Sequence, residues 1–353
     1  MLKTLWRSQV APRLTARLAP RVWDALRPEV IKLAQAERLA EPVSSSPPAL
    51  PDGISELQVY RGYEDGDTAV FAQFTAANRI AQPGFVVDFL GVRTRVALLY
   101  DQVAPLDGCV LEPPVPGDFH AEAVEWLGLL KTVKTARGRY TAMEWGAGWA
   151  PWLVAGAVAA RVVGITASRL YGVEADPEHL ASMRQHFLDN DLDPSGHVLL
   201  QAAVGPETGV ARWPRYPDAR NMWGARPLRH GSREDEDYPN PAANEFLEIE
   251  IVKASELLLR EPIWDMLHID IQGWEGAVCA ACIDQMTERV RWVILGVHSR
   301  ILDADLLQLF HGASWILEHE KPTRFRFARD KATFESMVIA DGTQVWRNPR
   351  MVA

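Results

Sequence analysis

The sequence is poor in cysteine and has no long hydrophobic run. Its 353 residues include three cysteines, Cys109, Cys279 and Cys282, and this odd number without an apolar secretory segment argues against a disulfide-stapled scaffold. Cys279 and Cys282 form a C-x-x-C in a helix-like run, but a structural zinc site needs further ligands in a matching pattern. The longest apolar stretch, residues 149–160, is too short to cross a bilayer. We therefore expect a cytoplasmic protein with reduced thiols and no membrane-spanning helix.

Positive charge is also scarce. The chain has 37 Lys and Arg against 46 Asp and Glu, a net charge of −9, whereas nucleic-acid binding requires a concentrated positive surface. This excludes a general affinity for nucleic acid and favours a small-molecule or glycan acceptor. Residues 1–30 differ, because basic and apolar residues recur there at amphipathic-helix spacing. Such a segment permits peripheral membrane contact, but Pro12, Pro20 and Pro28 interrupt it and favour packing on the protein itself or in a homo-oligomer.

The pattern of the chain predicts three parts. A helical segment with a Ser/Pro-rich linker covers residues 1–50, a small β-containing accessory region covers 51–115, and an α/β domain covers 116–353. In the last part strand-like and helix-like segments alternate, which is typical of a mostly parallel sheet covered on both faces. The predicted strands are 140–144, 170–174, 197–203, 265–271 and 291–297, and the predicted helices are 149–161, 177–189 and 273–287. Residues 208–252 are predicted to form a strand-loop-strand excursion.

A glycine turn follows the first predicted strand of the α/β domain. The spacing Glu144-x-Gly146-x-Gly148 lets the backbone turn tightly and approach a ligand closely. A dinucleotide fingerprint would have a third glycine where Pro151 stands, which disfavours a pyrophosphate seat. Glu174 ends the second predicted strand, where a carboxylate can accept both hydroxyls of a ribose, and Glu144 can reach an ammonium group. This pair of acids favours a methyl donor over a dinucleotide.

Small residues and a further carboxylate follow the later strands. Ala202 and Ala203 leave room for an adenine ring at the end of the third predicted strand. Asp270 ends an apolar strand at the edge where parallel sheets bind ligands. It is a candidate general base or a group that orients an acceptor hydroxyl, and the alternative is a helix cap. Asp176, directly before Pro177, is better explained as a helix N-cap.

His298 follows the fifth predicted strand and is expected at the same edge as Asp270. Methyl transfer to an alcohol requires removal of a proton, and histidine has a suitable pKa near neutrality. A single histidine after a strand is usually structural, but the carboxylate on the neighbouring strand makes His298 a second candidate for the base. His268 alternates away from its neighbours in the strand, and we expect it to be a structural histidine with satisfied hydrogen bonds.

These segments resemble the FkbM family of S-adenosylmethionine-dependent methyltransferases over roughly residues 138–340. The resemblance is carried by residues 144–148, 173–176, 202–205, 269–275 and 297–300. It implies a Rossmann-like class I methyltransferase fold with a seven-stranded sheet. It also implies methyl transfer to oxygen, often a sugar hydroxyl of a polysaccharide, glycolipid or natural product. By the same resemblance Glu144, Gly146, Gly148 and Glu174 line the cofactor site.

The sequence departs from the family pattern at two positions. Gln272 stands where the family usually has a carboxylate, and Glu144 stands where aspartate is common. Gln272 can still form hydrogen bonds, but it removes a charge that a metal ion would use. No metal is therefore predicted, and the alternative is a divalent ion held by Asp270, Glu275 and His298.

The acceptor is expected to contact Gln272, Glu275 and Arg300. Tryptophan is frequent near the motifs, and its aromatic faces suit the C–H edges of a sugar. The tryptophans concerned are Trp145, Trp149, Trp152, Trp213, Trp223 and Trp274. Packing in the core or in a lid is the alternative, and it is favoured for at least four of them.

Two other functions are compatible with the predicted sheet. One is a non-catalytic binding or scaffold protein that retains the methyltransferase fold. The other is an NAD(P)-dependent oxidoreductase, which Pro151 and the later motifs disfavour. Binding of S-adenosylmethionine or of NAD distinguishes the methyltransferase from the oxidoreductase. Formation of a product distinguishes either enzyme from the scaffold protein.

Overall fold

The computed structural model describes residues 61–228, 245–331 and 334–352. The chain divides into two compact units, residues 1–59 and 60–353. The first unit lies outside the described residues, and so does the segment predicted over 1–50. Within the described ranges, no helix is long and apolar enough to cross a membrane.

The described unit consists of alternating strands and helices, numbered here along the chain. The strands are β1 (Phe85–Val87), β2 (Arg93–Arg95), β3 (Arg139–Trp145), β4 (Ala167–Glu174), β5 (Val198–Gln201), β6 (Ala203–Gly205), β7 (Gly209–Arg215), β8 (Glu245–Lys253), β9 (Met266–Ile269), β10 (Trp292–Val297), β11 (Ile316–Lys321), β12 (Arg324–Phe325), β13 (Val338–Ala340) and β14 (Gly342–Arg347). The helices are α1 (Phe71–Phe74), α2 (Ala123–Thr135), α3 (Pro151–Val162), α4 (Pro177–Asp189), α5 (Ala254–Leu258), α6 (Glu275–Arg289) and α7 (Arg300–Gly312).

The central sheet has seven strands in the order β11-β14-β10-β9-β3-β4-β5. Strand β14 is antiparallel to both neighbours, and the remaining pairs are parallel. The predicted α/β, Rossmann-like fold with a mostly parallel seven-stranded sheet is therefore confirmed. The chain runs outward from β3 to β4 and β5, then returns to place β9 on the other side of β3. This reversal leaves a crevice at the carboxyl ends of β3 and β9, where open α/β sheets bind ligands.

Each face of the sheet is covered by helices. Side chains alternate along a strand, so Ala142 of β3 joins the core beneath α2 and α3, while Met143 joins the core beneath α6 and α7. Helix α3 begins at Pro151, whose missing N–H costs no hydrogen bond at that position. Asp176 caps α4 as predicted, because its Oδ1 accepts hydrogen bonds from the backbone N–H groups of residues 178 and 179.

Residues 61–115 pack into the same unit as the sheet. Strands β1 and β2 pair in antiparallel fashion, and Phe71, Phe74 and Phe89 share the core of α2 and α3. Arg95 holds the accessory region against α4 through its Nε, 2.6 Å from Asp189 Oδ2. The boundary predicted near residue 115 thus lies within one compact unit, and the segment after it leads directly towards the crevice.

The predicted third strand differs from the structure. Residues 197–203 do not form one strand but divide into β5, in the central sheet, and β6, which pairs with β8 in a separate three-stranded sheet with β7. The backbone changes sheets at Ala202, which lies between β5 and β6. Strands β7 and β8 are antiparallel and belong to the excursion predicted over 208–252.

Candidate active site

A cavity of about 250 Å³ opens at the carboxyl edge of the sheet, at the crevice between β3 and β9. Its walls include the turn from Gly146 to Gly148, Glu174, and Asp270. Ala202 and Ala203 also line it, as expected for a wall of small side chains. The cavity therefore collects side chains that follow four different strands.

The glycine turn is built around Glu174. Gly146 and Gly148 have φ angles of 71° and 54°, a conformation that favours glycine. A Cβ atom on Gly146 would collide with the carbonyl oxygen of Asp270, so the close approach of the two loops also requires glycine. Glu174 Oε2 accepts a hydrogen bond from Gly148 N at 2.7 Å, and its Oε1 accepts one from Asp176 N at 2.7 Å. Glu174 is thus buried and fixed in place. Its Oε1 also faces His179 Nδ1 at 3.8 Å, and its Oε2 has a further lone pair for a ligand.

Asp270 and His298 come together as their positions in the sequence predict. His298 Nε2 is 3.1 Å from Asp270 Oδ1, and His298 Nδ1 is 3.0 Å from Glu275 Oε1. Burial would lower the pKa of His298, but the carboxylates of Glu275 and Asp270 outweigh it and hold the pKa well above its ordinary value of 6.5. The two ion pairs therefore favour the imidazolium form of His298, in which neither nitrogen has a lone pair to accept a proton.

Asp270 offers an ionised oxygen to the cavity. Its side chain is 41% exposed, and its Oδ1 accepts hydrogen bonds from His298 and, at 2.9 Å, from Gln272 Nε2. Among the described residues nothing donates a hydrogen bond to Oδ2. Burial raises the pKa of Asp270, but the adjacent His298 cation and these hydrogen bonds outweigh it and hold the pKa below 3.8. Asp270 is thus a carboxylate beside the glycine turn with one oxygen that faces the cavity.

The three predicted acceptor contacts are placed differently. Gln272 lines the cavity. Glu275 is 0% exposed and lies outside the lining, because its oxygens accept hydrogen bonds from Ile271 N at 2.9 Å and Gly273 N at 2.8 Å. Arg300 begins α7 and is exposed, with its guanidinium 5.0 Å from the centre of a phenylalanine ring, and it also lies outside the lining. Glu275 thus positions His298 and the turn rather than facing the cavity.

Asp270, Glu275 and His298 are also the residues of the alternative metal site. One ligand atom from each lies within 4.8 Å of the others. A metal ion binds the lone pair of a neutral imidazole nitrogen. Both nitrogens of His298 face carboxylates, so ion pairing explains why Asp270, Glu275 and His298 lie together. To bind His298, a metal ion would have to displace a proton that both carboxylates stabilise.

The inner end of the cavity is a polar chamber lined by His120, Glu125, Glu144 and His268. Glu144 Oε2 accepts a hydrogen bond from Leu153 N at 3.2 Å, and its Oε1 is 3.7 Å from His268 Nδ1. Neither nitrogen of His268 has a hydrogen-bond partner among the residues that the structure describes. The expectation of a satisfied structural histidine is therefore wrong, because His268 shares its sheet face with Glu144 and borders the cavity.

His120 and Glu125 are candidate functional residues that the helical pattern does not single out. His120 lies just before α2, and Glu125 lies in the first turn of α2. The available signal is polarity, since each is a titratable residue with apolar residues directly before and after it in the sequence. Buried groups of this kind need a partner, and the sequence does not show which strand supplies it.

Tryptophans form much of the cavity wall. Those that line it are Trp149, Trp152, Trp213, Trp223 and Trp274, whereas Trp145 is fully buried in the core beneath α6 and α7. Trp223 also packs edge-on against Trp149 at 4.6 Å and stacks on His179 at 4.0 Å. The same tryptophan side chains therefore pack against neighbouring rings and line the cavity.

Comparisons with known proteins give the following relations. No family model matches the chain. A protein of Jannaschia sp. (strain CCS1), named "Putative methyltransferase", is 30% identical over 279 residues, which cover 79% of this chain and 98% of that protein.

Two solved structures are distantly similar. Precorrin-6y C5,15-methyltransferase from Geobacter metallireducens GS-15 shares 11% identity at a TM-score of 0.35, covering 65% of this chain and 89% of that one. Ribosomal protein L11 methylase from Lactobacillus delbrueckii subsp. bulgaricus shares 11% identity at a TM-score of 0.32, covering 68% and 85%. Because the sequence relation to the Jannaschia protein extends over nearly all of that protein, the chain belongs to the methyltransferases.

Proposed function

We propose that the chain is an S-adenosylmethionine-dependent O-methyltransferase that acts on a sugar hydroxyl of a glycan, glycolipid or natural product. The observation that carries the proposal is an ionised carboxylate, Asp270, with an oxygen free to accept a proton beside the glycine turn. A hydroxyl acceptor needs such a base because it loses its proton as its oxygen attacks. The resemblance of residues 269–275 to the FkbM family supports oxygen as the accepting atom.

The cavity residues fit the adenosine end of the methyl donor. Gly146 lets the glycine turn pass close to the carbonyl group of Asp270, and Glu174 lines the cavity with a carboxylate that can accept a hydrogen bond from a ribose hydroxyl. Ala202 and Ala203 form a small-residue wall suited to adenine. When bound, S-adenosylmethionine supplies a methyl group on a positively charged sulfur.

The residues around Asp270 prepare it as the base. Asp270 Oδ2 accepts the proton of the acceptor hydroxyl, while His298 and Gln272 hold Oδ1 and so fix the direction of the carboxylate. His298 is a positioning residue, because its charge keeps Asp270 ionised and Glu275 keeps His298 charged. Alignment of the attacking oxygen by this arrangement supplies a large part of the expected acceleration.

The walls favour a neutral, ring-shaped acceptor. The aromatic faces of Trp149 and Trp274 can cover the apolar C–H edges of a sugar. Gln272 presents an uncharged amide beside Asp270, which suits a hydroxyl better than a basic group.

Binding and product formation test the proposal separately. Isothermal titration is expected to show binding of S-adenosylmethionine and none of NAD. Mass spectrometry of candidate glycans incubated with a methyl-labelled donor is expected to show label with the native chain and with D330N. That control makes the same change at an exposed position. D270N is expected to transfer far less label.

Three outcomes of these experiments would contradict the proposal. Lack of S-adenosylmethionine binding would refute the proposed cofactor, and NAD binding would favour the oxidoreductase. Binding without a methylated product from any acceptor pool would favour the scaffold protein.

A further inference from the structure

A short hairpin lies at the carboxyl edge of the sheet, next to the candidate base. It consists of β12, β13 and the turn between them, and it connects the end of β11 to the start of β14. Thr323 Oγ1, just before β12, donates a hydrogen bond to the carbonyl oxygen of Val297 at 3.0 Å. Gly342, just after β13, pairs with the same Val297. Because His298 follows Val297 and contacts Asp270, both ends of the hairpin adjoin the acceptor side of the active site.

The hairpin exposes large apolar side chains. Phe327 is 69% exposed, and Phe334 and Ile339 are each 59% exposed. Ile301 is 53% exposed at the start of α7, next to the arginine whose guanidinium lies over the ring of Phe325 in β12. A group of exposed apolar side chains on one element marks a surface that contacts a partner or a membrane.

Basic side chains alternate with these apolar ones. Residues 321–331 include five Lys and Arg and one acid, Asp330, in a chain whose net charge is −9. Glu335 and Asp341 follow in the second half of the hairpin, and Arg324 is 3.6 Å from Glu122. The exposed basic residues that form no ion pair with any described residue are Arg326, Arg329 and Lys331. The first half of the hairpin thus carries a local excess of positive charge.

An anionic membrane surface complements both properties of the hairpin. Anionic headgroups attract Lys and Arg side chains that lie near the surface. Exposed Phe and Ile side chains can enter the boundary between the headgroups and the acyl chains, where they leave water. A nucleic acid would use the basic residues alone, and the net negative charge of the chain opposes its approach. A membrane therefore accounts for the apolar and the basic residues together.

We propose that the hairpin binds an anionic membrane surface and that the acceptor is a glycolipid of that surface. The acceptor part of this inference rests on the proposed sugar O-methyltransferase and narrows its acceptor to a lipid-linked sugar. Contact through the hairpin brings the carboxyl edge of the sheet, and with it Asp270, towards the headgroups. A sugar attached to a lipid can then reach the base while its lipid remains in the bilayer.

Flotation of the full chain with lipid vesicles tests the membrane contact. Vesicles of phosphatidylcholine and phosphatidylglycerol are expected to carry the native chain, less so at high salt, and vesicles of phosphatidylcholine alone should carry much less of it. R326Q/R329Q is expected to weaken binding about ten- to thirty-fold, since each basic residue near an anionic surface contributes about five-fold. F327S/F334S is expected to weaken it at least about ten-fold, because two apolar rings no longer leave water.

Matched variants make comparable changes at the opposite edge of the sheet. K134Q/R350Q removes two exposed positive charges that lie before β3 and after the antiparallel β14. L188S/L259S makes two exposed leucines polar before β5 and β9. Both are expected to float as the native chain does. Thermal unfolding followed by circular dichroism checks that every variant is folded, since all the substituted side chains are exposed.

Several results would overturn the membrane contact. One is that the native chain does not float with the anionic vesicles. Another is native-like flotation of both hairpin variants, which would assign the contact to a different segment. Binding of a single-stranded RNA that R326Q/R329Q abolishes, without flotation, would identify a nucleic acid as the partner. Self-association that F327S/F334S abolishes, without flotation, would identify a second copy of the chain.

Label transfer within vesicles tests the acceptor separately. The probes are glycosyl diacylglycerols and polyprenyl-linked sugars, each placed in the anionic vesicles or in neutral detergent micelles, with a methyl-labelled donor. Both hairpin variants should transfer less label than the native chain in vesicles and equal label in micelles, because the cavity is unchanged. Absence of label from every lipid probe, while a water-soluble glycan is labelled, would overturn the glycolipid acceptor. Flotation without label on any acceptor would refute the methyl transfer and leave the membrane contact intact.

Discussion

Replacing Asp270 with asparagine tests the proposed base while changing little else in the candidate active site. In D270N the Oδ1 atom can still accept the hydrogen bonds from His298 and Gln272, at 3.1 and 2.9 Å in the native chain, so the position of the side chain is retained. The negative charge is lost. General-base catalysis contributes about 10²- to 10⁴-fold, and kcat at saturating donor is expected to fall by that factor. Affinity for S-adenosylhomocysteine should change less than about three-fold, since only the base is altered.

The pH profile identifies which residue is the base. The pKa of Asp270 is held below 3.8, so the carboxylate is ionised and kcat of the native chain should not fall between about pH 8 and pH 6. If His298 were the base, its raised pKa would make kcat increase with pH across that window. H298A removes the cation that lowers the pKa of Asp270, so its kcat should begin to fall at a higher pH than in the native chain. Initial rates of label transfer provide the measurement. Full turnover by D270N, or a native kcat that increases from pH 6 to pH 8, would show that Asp270 is not the base.

Two further substitutions, measured by calorimetry, test the residues proposed to bind the adenosine end of the cofactor. G146A is expected to weaken S-adenosylhomocysteine binding at least about ten-fold, because the added Cβ collides with the loop after β9. Gly138 has the same φ of 71° but open space around it, so equal weakening in G138A would show that crowding is not the cause. E174Q is expected to weaken S-adenosylhomocysteine and 5′-methylthioadenosine equally, by about ten-fold, because both carry the ribose. Unchanged binding of 5′-methylthioadenosine by E174Q would contradict that role, and E178Q is the matched surface control.

The location of the site follows from the sequence because parallel strands end at a common edge. Glu144, Glu174 and Asp270 each stand at the end of an apolar run, and such ends converge in an open α/β sheet whatever the details of packing. The antiparallel β11 and β14 are harder to predict from the pattern, since β11 carries charged residues at 318, 320 and 321 and is an edge strand of the sheet.

The chemistry of individual side chains depends on neighbours that are distant in sequence. His298 is a natural candidate for a base from its residue type, yet two carboxylates make it a cation. Glu275 belongs to residues 269–275, one of the segments that carry the family resemblance, but its oxygens accept hydrogen bonds from the backbone of the turn before α6. His120 lines the cavity because the segment before α2 lies beside β3 and β9. The periodicity of the sequence does not predict that contact.

The atom that receives the methyl group decides whether the chain is an O-methyltransferase that acts on sugars. Glycans or glycolipids incubated with the native chain and methyl-labelled S-adenosylmethionine would be analysed by fragmentation mass spectrometry, with D270N and D330N in parallel. Label is expected on a sugar hydroxyl oxygen with the native chain and with D330N, and strongly reduced label is expected with D270N. Label on nitrogen or carbon, or no label from a chain that binds the donor, would contradict it.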